Sequence, residues 1–233
     1  MNSSEESFEA ADARPRTVEE LLSALHLKFS NNFAASQQQI GRASGVERQA
    51  RSLCTASNLL AKSAGDSEHQ RELAKCLDEV FGDLICAIYL SCCGMNVPAR
   101  MLLRRSLELG LVVAAYWDSP VNYWTWREHD GDIKFSTISA HLRSDGYKTM
   151  CKKQATVSEV DCTDILQTLD TLYGDLSNVV HPKLYNFSTA GANSYTFNDE
   201  DFGKTLSYAA RVLSTISTVL SARFAILIPI LHP

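Results

Sequence analysis

VPARMLLRRSLELGLVVAA, residues 97–115, decides the fold. Arg100, Arg104 and Glu108 recur at steps of four, which places all three on one face of a helix. Around them, Met101 to Leu103 and Leu109 to Ala115 are apolar on nearly every face. The segment therefore reads as a core helix from about Asn96 to Trp117, with Asn96 as its N-cap and Pro98 in its first turn. Arg104 and Glu108 are spaced to pair along it. A charge drawn into such apolar surroundings demands a partner from another element.

The partner that suits it best lies in YGDLSNVVHP, residues 173–182. Tyr173, Ser177 and His181 fall at i, i+4 and i+8 and share one helical stripe. The helix that carries them opens on the capping box of Thr156 and Glu159 and is predicted to stop at His181, because Pro182 lacks an N–H and disfavours helical geometry just before it. An imidazole then stands at the negative end of the helix dipole. Arg100, Arg104, Glu108, Tyr173, Ser177 and His181 form the candidate site, for which two readings stand. One is a structural network that fixes helix register. The other is an anion or RNA-cleaving site in which His181 is general acid or base, Arg104 stabilises a developing phosphorane, and Tyr173 or Ser177 orients the ring.

Outward from this centre the pattern stays helical. Thr17 and Glu20 make a capping box, after which apolar or small residues recur every three or four positions from Leu22 to Leu60. The spacing predicts one long helix from about 17 to 64, weakest between Gly41 and Gly45 and ending at Gly65. Unbroken, it spans roughly 70 Å at about 1.5 Å per residue, a length that seeks a second chain or wraps its own bundle. Residues 17–65 are thus read as an oligomerisation element, 1–16 as a disordered lead-in, and 66–233 as a helical bundle domain. Within that bundle Asp66 is the predicted cap of a helix to Cys93, and Ser119 with Pro120 restarts the chain. Residues 184–197 alternate like a small β-hairpin, and a final helix runs from about Asp199 to Ile228. The balance is an all-α bundle.

Composition narrows the chemistry. Acidic residues number 27 against 22 basic ones, so the net charge of −5 leaves any nucleic acid to a local patch. The small basic knot of Lys148, Lys152 and Lys153 reads as a solvated face, and Trp124 and Trp126 beside His129 as aromatics locking a helix end. Seven cysteines without a C-x-x-C pair read as small buried hydrophobes in a reducing cytoplasm, and no metal or cofactor is expected. Phosphate-loop, dinucleotide and hydrolase signatures are missing. The most apolar tail, from Ala209 to Leu231, is broken by Arg211 and Arg223 and is not expected to enter a membrane.

The order Arg-x-x-x-Glu at 104 and 108, a Tyr-Trp segment after it, and Tyr-x-x-Leu-Ser-x-x-x-His-Pro at 173–182 resembles bacterial helical proteins of the HEPN-like type over about residues 67–230. The resemblance implies a helical bundle that often dimerises, and an RNA-directed role in bacterial antiviral defence or toxin–antitoxin systems. Many members are metal-independent ribonucleases, and others are non-catalytic binding modules. The family's ribonuclease signature pairs an Arg and a His four to six residues apart on one helix, and this chain departs from it. Gly174, Asp175 and Leu176 occupy those positions before His181, which leaves Arg104 to substitute from another helix. The expected partners are another copy or a defence-complex protein, with RNA or a nucleotide as ligand. The alternatives are an interaction scaffold and an anion or nucleotide sensor.

Overall fold

Leu103, Leu107 and Leu111 are wholly buried, and they recur every fourth residue along helix α4, Asn96–Tyr116. Leu73, Leu77, Val80, Leu84 and Ala87, in alternating steps of four and three, are equally buried along α3, Glu68–Cys92. The two helices pack together as the centre of the fold, joined by a tight turn at Cys93 to Met95. Each fully buried leucine contributes about 1.5–3 kcal/mol of transfer free energy, so this pair dominates the core. The computed structural model describes residues 17–129, 132, 134–154, 163–178 and 195–232, and among them the fold is all-α, without strands. The hairpin expected at 184–197 lies almost wholly outside the described residues, and Tyr195 to Phe197 are not in a strand.

The remaining helices cover this centre. Helix α2, Ser44–Ser63, lies along α3 through Ala50, Leu53, Ala56 and Leu60 and ends at Gly65, whose φ of +56° favours glycine. Helices α5, Pro120–Glu128, α6, Phe135–Arg143, and α7, Asp145–Gln154, follow α4, and Trp124 and Trp126 pack against the core. Helix α8, Thr163–Ser177, and helix α9, Asp199–Arg223, lie against α4, and the short α10, Ile228–Leu231, closes on α2. Gly110 lets α9 approach α4 closely, since a Cβ there would sit 2.5 Å from Ile216 Cδ1.

The single helix predicted from 17 to 64 is two helices. α1 covers Val18–Ser36, residues 37–39 turn, and a 3-10 segment at Ile40–Ala43 leads into α2. The break, at residues 37–43, takes in Gly41 but not Gly45, and the bend wraps a second small core. Ala43 joins Ile88, Cys92, Phe202 and Leu206 there, with Phe33 and Ile40 packed against them. A straight helix would carry Ile40 and Ala43 away from Phe202, and the glutamines at 37–39 offer no apolar burial in exchange. The capping box of Thr17 and Glu20 is formed in full.

Other boundaries moved for local reasons. Ser67, not Asp66, takes the N-cap position of α3, where its hydroxyl meets His69 Nδ1 at 2.9 Å. Asn96 is the first helical residue of α4, one past the cap, and its side chain accepts from Ser91 Oγ at 3.0 Å. The last long helix stops at Arg223 instead of Ile228: Phe224, at φ −127° and ψ 88°, leaves helical geometry, a 3-10 segment follows at Ala225–Leu227, and Pro229 sits in the first turn of α10.

One junction ties the amino terminus to this frame. Asn32 Nδ2, on α1, donates to the carbonyl of Cys93 at 2.9 Å and to that of Tyr195 at 2.8 Å. Gly94, between α3 and α4, has φ +79°, and a Cβ on it would lie 2.8 Å from the Thr196 carbonyl carbon. Only glycine meets both demands. No helix among the described residues is long and apolar enough to cross a membrane.

Candidate functional site

Helices α4, α6 and α8 bring the site together, and their pairings fix its direction. Phe135, at the start of α6, stacks on Tyr173 with ring centroids 3.6 Å apart, while His141 near its end feels the Asp118 carboxylate beyond α4. Arg143 donates to the Leu166 carbonyl on α8. So α6 runs with α4 and α8 runs against it, and the Ser177 end of α8 points towards Arg100.

The centre is a closed triangle. Arg104 Nε donates to Glu108 Oε1 at 3.1 Å and its Nη2 donates to Tyr173 Oη at 2.5 Å; the Tyr173 hydroxyl in turn donates to the same Glu108 oxygen at 3.0 Å. The side chains of Arg104 and Glu108 are 25% and 19% exposed, so the pair lies between the surface and interior regimes. Burial, and then the neighbouring Glu108 carboxylate, raise the Tyr173 phenol above its ordinary value, which keeps it protonated as donor. Arg104 is thereby committed on two of its three nitrogens. It positions the network, and its third nitrogen has no hydrogen-bond partner among the described residues.

Arg100 differs. One turn before Arg104, it is half-buried, its Nε is shielded from solvent without a hydrogen-bond partner, and it forms no ion pair among the described residues. Its guanidinium lies 5.3 Å from the ring centroid of Tyr208 on α9, and Arg211 lies 5.7 Å from the same ring while reaching Asp175 on α8 at 3.3 Å. Ser177 is buried at the same end; its hydroxyl lies near the Tyr173 phenol yet makes no hydrogen bond of good geometry. Arg105, by contrast, faces outward and grips Asp83 on α3 with both contacts at 2.6 Å. Among the described residues, the guanidiniums of Arg100, Arg104 and Arg211 stand against the carboxylates of Glu108 and Asp175, an excess of positive charge on the Tyr173 and Tyr208 rings. Guanidiniums so arranged have the chemistry to accept an oxyanion.

The structure thus brings together Arg104, Glu108 and Tyr173, and it sets Arg100 and Ser177 at the adjoining end. His181 lies outside the described residues, as does the capping box at Thr156 and Glu159. The described helix ends at Ser177, short of the predicted stop, and Asn178 follows in a turn closed by its N–H to the Gly174 carbonyl at 2.9 Å. Serine and asparagine favour such ends because their side chains compete for backbone bonds. Sequence reading missed Tyr208 and Arg211, although their spacing in the last helix, three apart, was a signal for a shared face.

The thiols divide by environment. Cys92, Cys93 and Cys151 are buried, but Cys86 is exposed and Cys54 and Cys76 are half-buried, against the reading of all as core residues. Burial and nearby Glu79 push the Cys76 thiol up to about 11. Among the described residues no three His, Cys, Asp or Glu side chains are grouped to hold a metal ion. No protein-family model, no curated protein and no solved structure matches the chain.

Proposed function

We propose that the Arg100 end of this network binds a phosphate of single-stranded RNA, and that the protein is a HEPN-like component of a bacterial defence or toxin–antitoxin-type system. The observation that carries the reading is Arg100 itself. A half-buried guanidinium whose Nε is shut off from solvent, and which meets no carboxylate or carbonyl among the described residues, is stabilised by an anion that completes it. Tyr208 beneath it supplies a platform on which a base or a guanidinium stacks. The negative net charge confines RNA to this corner.

In this reading Arg104, Glu108 and Tyr173 set the position of α8, and His181, four residues beyond Ser177, acts on the bound phosphodiester. As general base it takes the proton of a ribose 2′-hydroxyl, which attacks phosphorus, and as the imidazolium it returns that proton to the departing 5′-oxygen, giving a 2′,3′-cyclic phosphate and a 5′-hydroxyl end. The arginines steady charge on the phosphoryl oxygens, and no metal is required.

Binding of a labelled RNA strand to the full chain, across a salt series, tests this. Arg100→Ala is expected to weaken binding at least tenfold and to lower the slope of log affinity against log salt by about one contact. His181→Ala is expected to bind normally and to lose cleavage measured in the presence of a chelator. Equal RNA affinity for wild type and Arg100→Ala would remove the proposal. Binding without cleavage by wild type would leave a non-catalytic module, and displacement of RNA by a mononucleotide would favour the sensor.

A further inference from the structure

Arg211 is held differently from the arginines that tie helices together. Arg105 meets both oxygens of Asp83 at 2.6 Å, and the buried Arg223 grips Asp118 through two nitrogens at 2.9 and 2.5 Å. Arg211 reaches Asp175 through Nη1 alone, at 3.3 Å, and its other nitrogens have no hydrogen-bond partner among the described residues. The two side chains are 41% and 36% exposed, so water screens the pair and its grip is weak. Asp175 is also poorly placed within its own helix. It lies in the last turn of α8, where the negative end of the dipole opposes a carboxylate and no basic residue accompanies it.

We infer, resting on the reading of the Arg100 corner as an RNA site, that Arg211 is a second phosphate contact and that Asp175 is a built-in competitor which occupies it until a strand arrives. Arg100 and Arg211 share the Tyr208 ring, at 5.3 and 5.7 Å from its centroid, so their guanidinium carbons lie at most about 11 Å apart. That interval is within the reach of neighbouring phosphates of one strand. A phosphate offers a guanidinium two parallel charge-assisted bonds, against the single long one from Asp175, so exchange of carboxylate for phosphate is favourable. The displaced carboxylate, already partly exposed, turns to water. Asp175 thereby sets a threshold. A strand whose consecutive phosphates engage both arginines overcomes it, whereas a small anion that meets Arg100 alone gains nothing from Arg211.

Binding of a labelled single-stranded RNA to the full chain, measured across a salt series as a double-mutant cycle, tests this. Asp175→Asn is expected to tighten binding several-fold, with a melting temperature equal to wild type or slightly higher. Arg211→Gln should weaken binding several-fold and lower the slope of log affinity against log salt by about one contact. The double substitution should bind as Arg211→Gln does, because the carboxylate acts through that one guanidinium. Arg211→Lys, which keeps the charge and loses the fork, should fall between wild type and Arg211→Gln, and far-UV circular dichroism checks the fold of each variant. Unchanged or weaker binding by Asp175→Asn overturns the inference. So does an equal gain from Asp175→Asn in the Arg211→Gln background, which would make the carboxylate a general repulsion. Either result leaves the Arg100 site standing where Arg100→Ala still weakens binding, whereas RNA affinity indifferent to Arg100 removes the site and the second contact together.

Discussion

Tyr173 does the joining at the site: its one hydroxyl is acceptor to Arg104 and donor to Glu108, while its ring is covered by Phe135. Tyr173→Phe keeps the stacking and leaves the Arg104–Glu108 pair intact, so a loss of about 1 kcal/mol is expected, the net worth of a hydrogen-bonded hydroxyl. Glu108→Ala strands both the guanidinium and the phenol in a half-buried place and should cost about 2–3 kcal/mol. Urea titration of the two variants checks the order, and equal midpoints would show that the triangle is not a coupled unit. The residue pattern made Arg104, Glu108 and Tyr173 legible because helical spacing gives faces directly. Arg105 borders apolar residues as Arg100 does, and it is the Asp83 carboxylate on α3 that turns Arg105 outward.

At the scale of elements, α6 carries a group that works against the fold in acid. His141 has a pKa below the ordinary value, chiefly through burial, with the Asp118 charge opposing part of the shift. Its partner groups are the Tyr147 ring, edge-on at 5.4 Å, and Asp118, which is held by the buried Arg223 at 2.5 Å. Because the folded state binds this proton less readily than the unfolded chain, the stability it supports is present above about pH 6.5 and is lost as pH falls below that value. Thermal melts from pH 7.5 to 5 should show a declining midpoint, with a shallower decline in His141→Gln. Identical slopes would sink the assignment. Element boundaries were less legible than element types: α1 and α2 share one periodic pattern, but Phe202, over 150 residues later, decides where it bends.

For the whole molecule, the all-α class was readable because periods of three and four dominate the chain and its central helices are apolar almost all round. Which helices meet was not, since Gly110 against Ile216 and Asn32 against Tyr195 are consequences of tertiary closeness that no local pattern records. The hinge-like glycine at 94 illustrates this: its sequence context announces a turn, but the demand for a missing Cβ comes from Thr196 and Asn32. Gly94→Ala should therefore destabilise by more than the roughly 1 kcal/mol of a left-handed backbone alone, because the methyl also parts two chain segments. A denaturant midpoint within error of wild type would contradict that.

Asn32 grips a carbonyl 163 positions later in the chain. A ribosome delivers α1 first, yet the seat it occupies is finished only once Tyr195 has left the exit tunnel, so Phe29 and Asn32 lack part of their cover for most of synthesis. Nascent chains halted before that point should be nicked readily by protease within residues 18–36, and full-length ones should not; equal cutting would mean that the first helix finds its place without the clasp.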